Sequence, residues 1–359
     1  MSQVFIIAEA GVNHNGNVDM AMRLVDVAVA AGADAVKFQT FRTDLVVTDS
    51  APKAAYQLRM VPGDKQRQML KDLELSPNDF VALSDYCRRQ NIEFMSTPFD
   101  KPSLDLLVDD IKIKRIKIPS GEITNGPLLL RAASKGLPII MSTGMSTLDD
   151  IEVALSVLAL GYVNSSATPN SMNDFSVAYN SPQGMASLKK NVSLLHCTTQ
   201  YPAPYDAVNL KAIDALRDYF GLPVGYSDHT LGISIAIGAV ARGATIIEKH
   251  ITLDRALPGP DHSASLQPDE LCLLIEGIRN IEAAYGDGIK KPHVSEIDNK
   301  AIARRSLVAF ESIRKGEIFT VNNLTAKRPG TGISPMKFWD YIGRPAKRDY
   351  NADDLITED

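Results

Sequence analysis

Little in this 359-residue chain suits oxidative cross-linking, membrane insertion or bulk attraction of polyanions. Its three cysteines, Cys87, Cys197 and Cys272, lie far apart. An odd number without metal-type or redox-type spacing argues against a disulfide framework and fits a reducing compartment. No stretch approaches the ~20 consecutive apolar residues of a membrane span, and the N-terminal MSQVFIIAEAG lacks the basic region and long apolar run of a signal peptide. Lys plus Arg number 38 against 43 Asp plus Glu, a formal charge of −5, so neither nucleic acid nor an acidic membrane is held by bulk electrostatics. The expectation is a soluble cytoplasmic protein in which any anionic ligand meets locally placed cations.

What the chain does have is 45% hydrophobic residues, arranged in short runs that alternate with helix-period segments. Eight runs read as buried strands: VFIIAE (4–9), DAVKF (34–38), IEFMST (92–97), IKRIKI (113–118), PIIMST (138–143), VSLLHC (192–197), PVGYS (223–227) and TIIEKH (245–250). Between them, 18–31 puts Ala21, Leu24, Val25 and Ala28 on one face with Asn17 as cap and Gly32 as stop. Likewise 148–160 aligns Ile151, Ala154, Leu155 and Leu158 behind Thr147. Eight strands alternating with helices predict a (β/α)8 barrel over residues 1–286; a doubly wound open sheet is the alternative that the count disfavours. After a helix at 268–285 and a linker at 287–299, the texture changes to short β-like pieces, predicting a small, mostly β domain over 300–359. Two long connections differ in meaning. The segment 41–77 follows a strand, so its polar Lys53, Tyr56 and Arg59 are expected in a lid over the functional face. The polar segment 162–186 follows a helix, is expected as a loop on the opposite face, and is assigned no chemistry.

The run ATIIEKHITL (244–253) poses the functional question, because it leads a core strand straight into Glu248, Lys249 and His250. Charges there are costly to bury unless partnered. A barrel answers it in outline, since functional groups collect at the C-terminal ends of strands. Every run ends in such groups: Glu9, then Lys37 and Gln39, Thr97, Lys117 with Ser120 and Glu122, Ser142, His196, Ser227 with His229, and Lys249 with His250. His229 and His250 end neighbouring strands, where neutral imidazoles can bind a divalent metal with Glu9 or Asp261 nearby to tune it or accept a proton. A lone histidine is more often a hydrogen-bonded structural residue, which is the reading for the others. Lys37 and Lys117 sit within apolar runs. They are either snorkelling or structurally paired lysines, or an anion site that, with Thr97, Ser120, Ser142 and Ser227, neutralises a phosphate and a carboxylate. A Schiff-base lysine is a further possibility. Glu122 is either a proton donor or acceptor at the rim or a partner of Lys117 or Lys249, and Cys197 reads as a small buried apolar residue.

The segments FIIAEAGVNHNG, AGADAVKFQTF, FMSTPFD, KIPSGEITN, STGM, LLHCTTQYPAP, GYSDHTLGI, IIEKHITLDRALPGPDH and KRPGTGISP together resemble the N-acetylneuraminate (sialic acid) synthase family, which includes legionaminate and pseudaminate synthases. The resemblance runs from residue 4 to about residue 356. It implies a barrel followed by an antifreeze-like (SAF) domain, and a metal-dependent condensation of phosphoenolpyruvate with the open-chain aldehyde of an N-acetylated hexosamine such as N-acetylmannosamine. It further implies His229 and His250 as ligands of manganese, or of magnesium or cobalt. Lys37, Thr97, Lys117, Ser120, Ser142 and Ser227 match phosphoenolpyruvate contacts. Glu9, Gln39, Tyr201 and Asp261 match residues around metal and sugar, and Glu122 matches a proton-transfer carboxylate. Arg328 matches an arginine that a neighbouring subunit places on the N-acetyl group, implying a domain-swapped homodimer. Where some sialic acid synthases have asparagine before the tyrosine motif, this chain reads CTTQYPAP, wording closer to legionaminate-type members and their substrate, 2,4-diacetamido-2,4,6-trideoxymannose. AEAGVNHNG points away from the pseudaminate branch. Two readings from other classes stand beside the synthase: a pyruvate lyase working through a lysine Schiff base, and a carbohydrate- or ice-binding protein acting through residues 300–359.

Overall fold

The computed structural model describes residues 3–53 and 65–358. The chain divides into two compact units, Met1–Gly286 and Asp287–Asp359. In the first, eight parallel strands form the sheet: β1 (Phe5–Gly11), β2 (Ala35–Thr40), β3 (Glu93–Pro98), β4 (Ile116–Ile118), β5 (Ile139–Ser142), β6 (Val192–Cys197), β7 (Val224–Asp228) and β8 (Ile246–His250). The hydrogen-bonded order β3-β2-β1-β8-β7-β6-β5-β4 joins the first strand to the last, so among the described residues the ring is unlaced only between β3 and β4. This is the nearly closed barrel that the eight apolar runs predict.

The helices start and stop for local reasons. Asn17 accepts a hydrogen bond from the Met20 amide at the start of Val18–Ala31, and Gly32 ends that helix at φ 81°, a left-handed conformation that glycine adopts without steric cost. Thr147 and Asp150 form a reciprocal capping box on Leu148–Val163. Two expectations need correction. β4 is only three residues long, because Lys112 turns the chain at φ 64° and the strand begins at Ile116 rather than Ile113. The stretch expected as a loop at 162–186 folds largely into the helices Met172–Asn180 and Pro182–Asn191. Ser181 caps the second helix by accepting from the Gly184 amide, with Pro182 at its first position. Gly184 is required there, since a Cβ would lie 2.0 Å from the Ala178 carbonyl oxygen.

Strand alternation sorts the barrel residues into two sets. Outward-facing Ala8, Val36, Ile118, Tyr226 and Ile247 join the large core between sheet and helices. Inward-facing Ile7, Ala35, Met95, Ile140, Leu195 and Ile246 form a separate apolar plug. Each buried aliphatic side chain in it contributes about 1.5–3 kcal/mol, and the plug closes the barrel beneath whatever stands above it.

The second unit pairs β9 (Ser306–Ala309) antiparallel with β10 (Leu324–Lys327). Single bridges such as Ile313 with Tyr350 and Ile318 with Pro345 extend the pairing. Its core is Leu307, Ile313, Phe319, Leu324, Tyr350 and Ile356. Residues 287–299, expected as linker, carry a short 3-10 turn at Val294–Glu296 and the start of the helix Ile297–Ala303. No described helix is long and apolar enough to cross a membrane.

Candidate active site

Two residues beyond each plug residue, the alternation puts a polar side chain into the barrel interior. Ile7 is followed by Glu9, Ala35 by Lys37, Met95 by Thr97, Ile140 by Ser142, Leu195 by Cys197 and Ile246 by Glu248. Register aligns them: Glu9 lies opposite Lys37 on one side and His250 on the other, while Ser227 pairs with Glu248 and with Cys197. These side chains form the floor of one cavity of about 270 Å³ at the C-terminal ends of the strands.

The floor is an alternating chain of charge. Lys37 Nζ lies 2.6 Å from Glu9 Oε2 and donates to Thr97 Oγ1 at 3.1 Å. Glu248 stands between the lysines, its two oxygens 3.6 Å from Lys37 Nζ and 3.6 Å from Lys117 Nζ. Lys117 donates to Ser142 Oγ at 2.7 Å, and Ser227 donates to Glu248 Oε1 at 2.8 Å. Burial would raise Glu248, yet Lys117 and Lys37 together bring it down to about 2, so it stays ionised. Burial, with the Glu248 charge adding to it, pushes Glu9 up to about 7 against the pull of Lys37. Burial works to lower Lys37, but Glu248 and Glu9 hold it above its usual range. Burial, reinforced by the charge of Lys37, lowers Lys117. With Glu9 protonated, two ammonium groups face one fixed carboxylate, and the floor suits an anion.

Above the floor, His229 Nδ1 donates to the Thr198 carbonyl at 2.7 Å, which leaves the Nε2 lone pair available. The His229 and His250 ring centres are 5.6 Å apart, and Tyr201 lies 4.2 Å from His229 and edge-on to His250. Burial lowers both imidazoles, His250 well below the usual value with His229 beside it, so both are neutral near pH 7. His250 Nδ1 is buried without a hydrogen-bond partner, 3.9 Å from Asp261 Oδ2. Burial raises Asp261 to about 6. Neutral rings with an orphaned nitrogen fit a divalent cation. No group of three or more His, Cys, Asp and Glu among the described residues has metal-holding geometry, so the fit is that of an open two-histidine site.

The structure brings most of the expected residues to this cavity: Gln39, Ser120, Tyr201 and Asp261 line it together with the floor residues and both histidines. Gln39 donates to Glu9 Oε1 at 3.3 Å. Ser120 Oγ accepts from the Gly144 amide and lies 3.1 Å from Cys197 Sγ. Gly144 is needed for this approach, as a Cβ would sit 2.2 Å from Thr199 Oγ1. Two expected residues are engaged locally. Glu122 ends the turn Ser120–Glu122, is half-buried, and accepts from Asn125 at 2.7 Å rather than pairing with Lys117 or Lys249. Arg328 belongs to the second unit, exposed after β10, where its Nε donates to the Ala303 carbonyl at 3.0 Å.

Lys249 also departs from the reading of it as a rim group. Its parity turns it to the outside of the barrel, where it meets Asp228 at 2.7 Å. Cys197, read as merely apolar, lines the cavity, and burial raises its thiol. Glu248 is the functional residue that the motif reading left unassigned, although counting Ile246, Glu248, His250 with period two would have found it. Tyr56 and Arg59 of the expected lid lie outside the described residues, and Lys53 is buried. What the described part of 41–77 brings to the cavity is mostly apolar: Phe41, Val46, Val47, Met69, Leu70 and Leu73.

Comparison with known proteins agrees with this geometry. A model of the NeuB family matches residues 24–290, and one of the SAF domain matches residues 304–359. N,N'-diacetyllegionaminic acid synthase of Campylobacter jejuni is 47% identical over all of both chains. The enzyme of that name from Legionella pneumophila is 47% identical over 94% of this chain and 89% of its own. The crystal structure of N-acetylneuraminic acid synthetase from Leptospira borgpetersenii, in complex with citrate, is 34% identical and superposes with a TM-score of 0.66 over 83% of this chain and 90% of that one. The chain therefore belongs to the NeuB family of sialic acid synthases, with its barrel followed by an SAF domain.

Proposed function

We propose that this protein condenses phosphoenolpyruvate with the open-chain aldehyde of an N-acetylated hexosamine to form a nonulosonic acid and inorganic phosphate. The observation that carries the reading is one cavity whose floor presents Lys37 and Lys117 beneath the neutral pair His229 and His250. The lysines, with Thr97, Ser120, Ser142 and Ser227, bind the phosphate and carboxylate of phosphoenolpyruvate, each charge-assisted bond contributing roughly 1.5–3 kcal/mol. Gln39, Tyr201 and Asp261 orient the sugar. Carbon 3 of the enol attacks the aldehyde carbon, and the aldehyde oxygen takes up a proton. Water adds to carbon 2 of the resulting cation, and the adduct collapses to a 2-keto acid as phosphate leaves with its bridging oxygen. Glu9, raised to about 7 and lying beside Lys37 in the floor, is poised to hold or pass a proton in these steps. His229 and His250 would hold a manganese, magnesium or cobalt ion, and when bound that ion supplies Lewis-acid polarisation of the aldehyde oxygen.

The identity to the two diacetyllegionaminic acid synthases favours 2,4-diacetamido-2,4,6-trideoxymannose over N-acetylmannosamine as the aldehyde. A homodimer in which the partner's SAF domain donates its arginine at position 328 completes the proposed site in a soluble, cytoplasmic enzyme. Phosphate release in the presence of each aldehyde tests the reaction. Turnover should vanish with a chelator and return with manganese, and full activity in excess chelator would remove the metal. Borohydride trapping with pyruvate distinguishes the lysine Schiff-base lyase, for which Lys117, lowered by burial, is the candidate and Lys37, held charged by Glu248 and Glu9, is not. Mixing inactive Arg328→Ala and Lys117→Met subunits should restore about a quarter of the activity if the arginine acts in trans, since half the dimers are mixed with one good site.

A further inference from the structure

The cavity has two unlike halves. Its floor is the charged chain from Glu9 to Lys117; its flank, beyond β2 and β3, is hydrocarbon. Phe41 and Phe99 meet edge to face at 6.2 Å, and Val12, Met69 and Leu73 are buried with Phe41 in a cluster of their own, separate from the main core. Val46, Leu70 and Phe99 pack against that cluster and line the cavity. The two helices that carry most of this flank, Thr43–Val46 and Gln66–Leu73, are tied in place. Glu74 accepts from both the amide and the hydroxyl of Thr43, and Arg67 bridges Asp44 and Asp49. From these helices and Val47 beside them, the sole side-chain hydrogen-bonding group lining the cavity among the described residues is Gln66.

Such a flank has consequences for what can lie on it. In the proposed reaction the lysine end of the cavity takes phosphoenolpyruvate and the aldehyde carbon lies by the histidines, and the lining this leaves for the far end of the sugar includes the hydrocarbon flank. Open-chain N-acetylmannosamine carries hydroxyls from C3 through C6, and those laid on Val46, Val47 and Leu70 would lose water with, among the described residues of this flank, only Gln66 to replace it. A C6 methyl and the methyl of a C4 acetamido group lose nothing there and cover apolar surface.

We infer that the flank formed by Phe41, Val46, Val47, Met69 and Leu70 is the specificity surface for the distal end of the sugar, selecting a 6-deoxy hexosamine over its 6-hydroxy counterpart. This rests on the proposed synthase reaction. It assigns a role to residues 41–47 and 66–73, parts of the segment 41–77 that the sequence offered only as a polar lid.

The experiment compares kcat/KM for aldehydes at saturating phosphoenolpyruvate and manganese. In the wild-type protein, 2-acetamido-2,6-dideoxymannose and N-acetylmannosamine differ only in the C6 hydroxyl. The deoxy sugar should be preferred by roughly 10–200-fold, the range that a hydrophobic pocket extracts from one such group. The double variant Val46→Thr, Val47→Thr keeps shape and adds hydroxyls. It should cut that preference about tenfold or more, chiefly by losing activity on the deoxy sugar, with KM for phosphoenolpyruvate unchanged. Equal use of the two sugars by the wild type would overturn the inference without touching the reaction. So would a preference unchanged in a folded variant, and the wild-type comparison decides alone if the variant does not fold. No phosphate release with these sugars or with 2,4-diacetamido-2,4,6-trideoxymannose would overturn the synthase reading, and the inference with it.

Discussion

Lys249 and Lys37 are both buried lysines facing carboxylates, on opposite sides of one sheet, and their surroundings differ in a way that separates structure from function. Outside the barrel, Lys249 Nζ meets Asp228 at 2.7 Å and donates to the Thr230 carbonyl, while Asp228 also accepts from Tyr226 Oη and the Thr230 amide. Both oxygens of that carboxylate are satisfied, although the Thr230 hydroxyl oxygen beside it is buried without a partner. Inside, Glu248 stands at 3.6 Å from each of two lysines, and its Oε2 is buried without a hydrogen bond. A buried polar group left under-satisfied is costly unless something else arrives to complete it. The interior carboxylate is thus the less satisfied of the two, and the proposed reaction assigns the interior cluster to the ligand and the exterior one to the fold.

Substitutions can break that contrast. The largest effect is expected from Glu9→Gln, which should lower kcat by roughly 10²–10⁴ as a proton-transfer group is lost, with little change in thermal stability. Glu122→Gln, at a half-buried turn with Asn125 as its partner, should lower kcat far less. Equal losses in the two variants, read by phosphate release, would return proton transfer to Glu122. Next, Lys249→Met leaves Asp228 buried without its cation and should cost about 3–5 kcal/mol of stability. Denaturant unfolding measures this, and a midpoint as high as wild type would show that the exterior network is not closed by Lys249. Lys37→Met should do the reverse, raising KM for phosphoenolpyruvate by roughly 10–150-fold, the equivalent of one charge-assisted bond of 1.5–3 kcal/mol, with a smaller shift in the unfolding midpoint than Lys249→Met. If both lysine variants lose stability alike, the distinction between the two faces fails.

The smallest effect sharpens the comparison at the rim, where His14 and His262 sit in a third buried polar cluster. His262 pairs with Thr252 and Asn15, and His14 Nδ1 accepts from the Gly16 amide. Burial lowers each to about 4. A histidine depressed in the folded state binds fewer protons than the unfolded chain between pH 4 and 6.5, so stability rises with pH across that window. It is fully present above about 6.5 and lost as pH falls toward 4. Acidifying from about pH 7 to 5.5 should cost on the order of 1 kcal/mol per histidine, and His14→Gln should flatten the slope. A slope unchanged in that variant would mean that His14 titrates alike in the folded and the unfolded chain.

The barrel was legible because eight apolar runs with helix-period spacers leave few alternatives, and most of the cavity followed from reading strand ends. The failures have physical sources. Strand-end reading treats Glu248, Lys249 and His250 alike, while a pleated strand sends Lys249 the other way; the parity was present in TIIEKH but needed a reference residue known to face inward. Glu122 carries a motif's wording, which does not show that its carboxylate accepts from Asn125 three residues on. The polar texture of 162–186 concealed helices capped at Ser181 and backed by Leu148–Val163, an element whose apolar surface the segment cannot display on its own.

The amino-acid sequence by itself determined the number of strands, the helix boundaries at Asn17, Gly32 and Thr147, and the chemical kinds of group at the strand ends, because hydrophobic period and capping are local properties of the chain. Only the tertiary structure decided which of those groups share a cavity and how tightly each is satisfied. Lys37, Lys117 and Glu248 come from strands far apart in sequence, and the register of a nearly closed sheet, set by packing around the ring, is what brings one carboxylate between two lysines and leaves an apolar flank beside them.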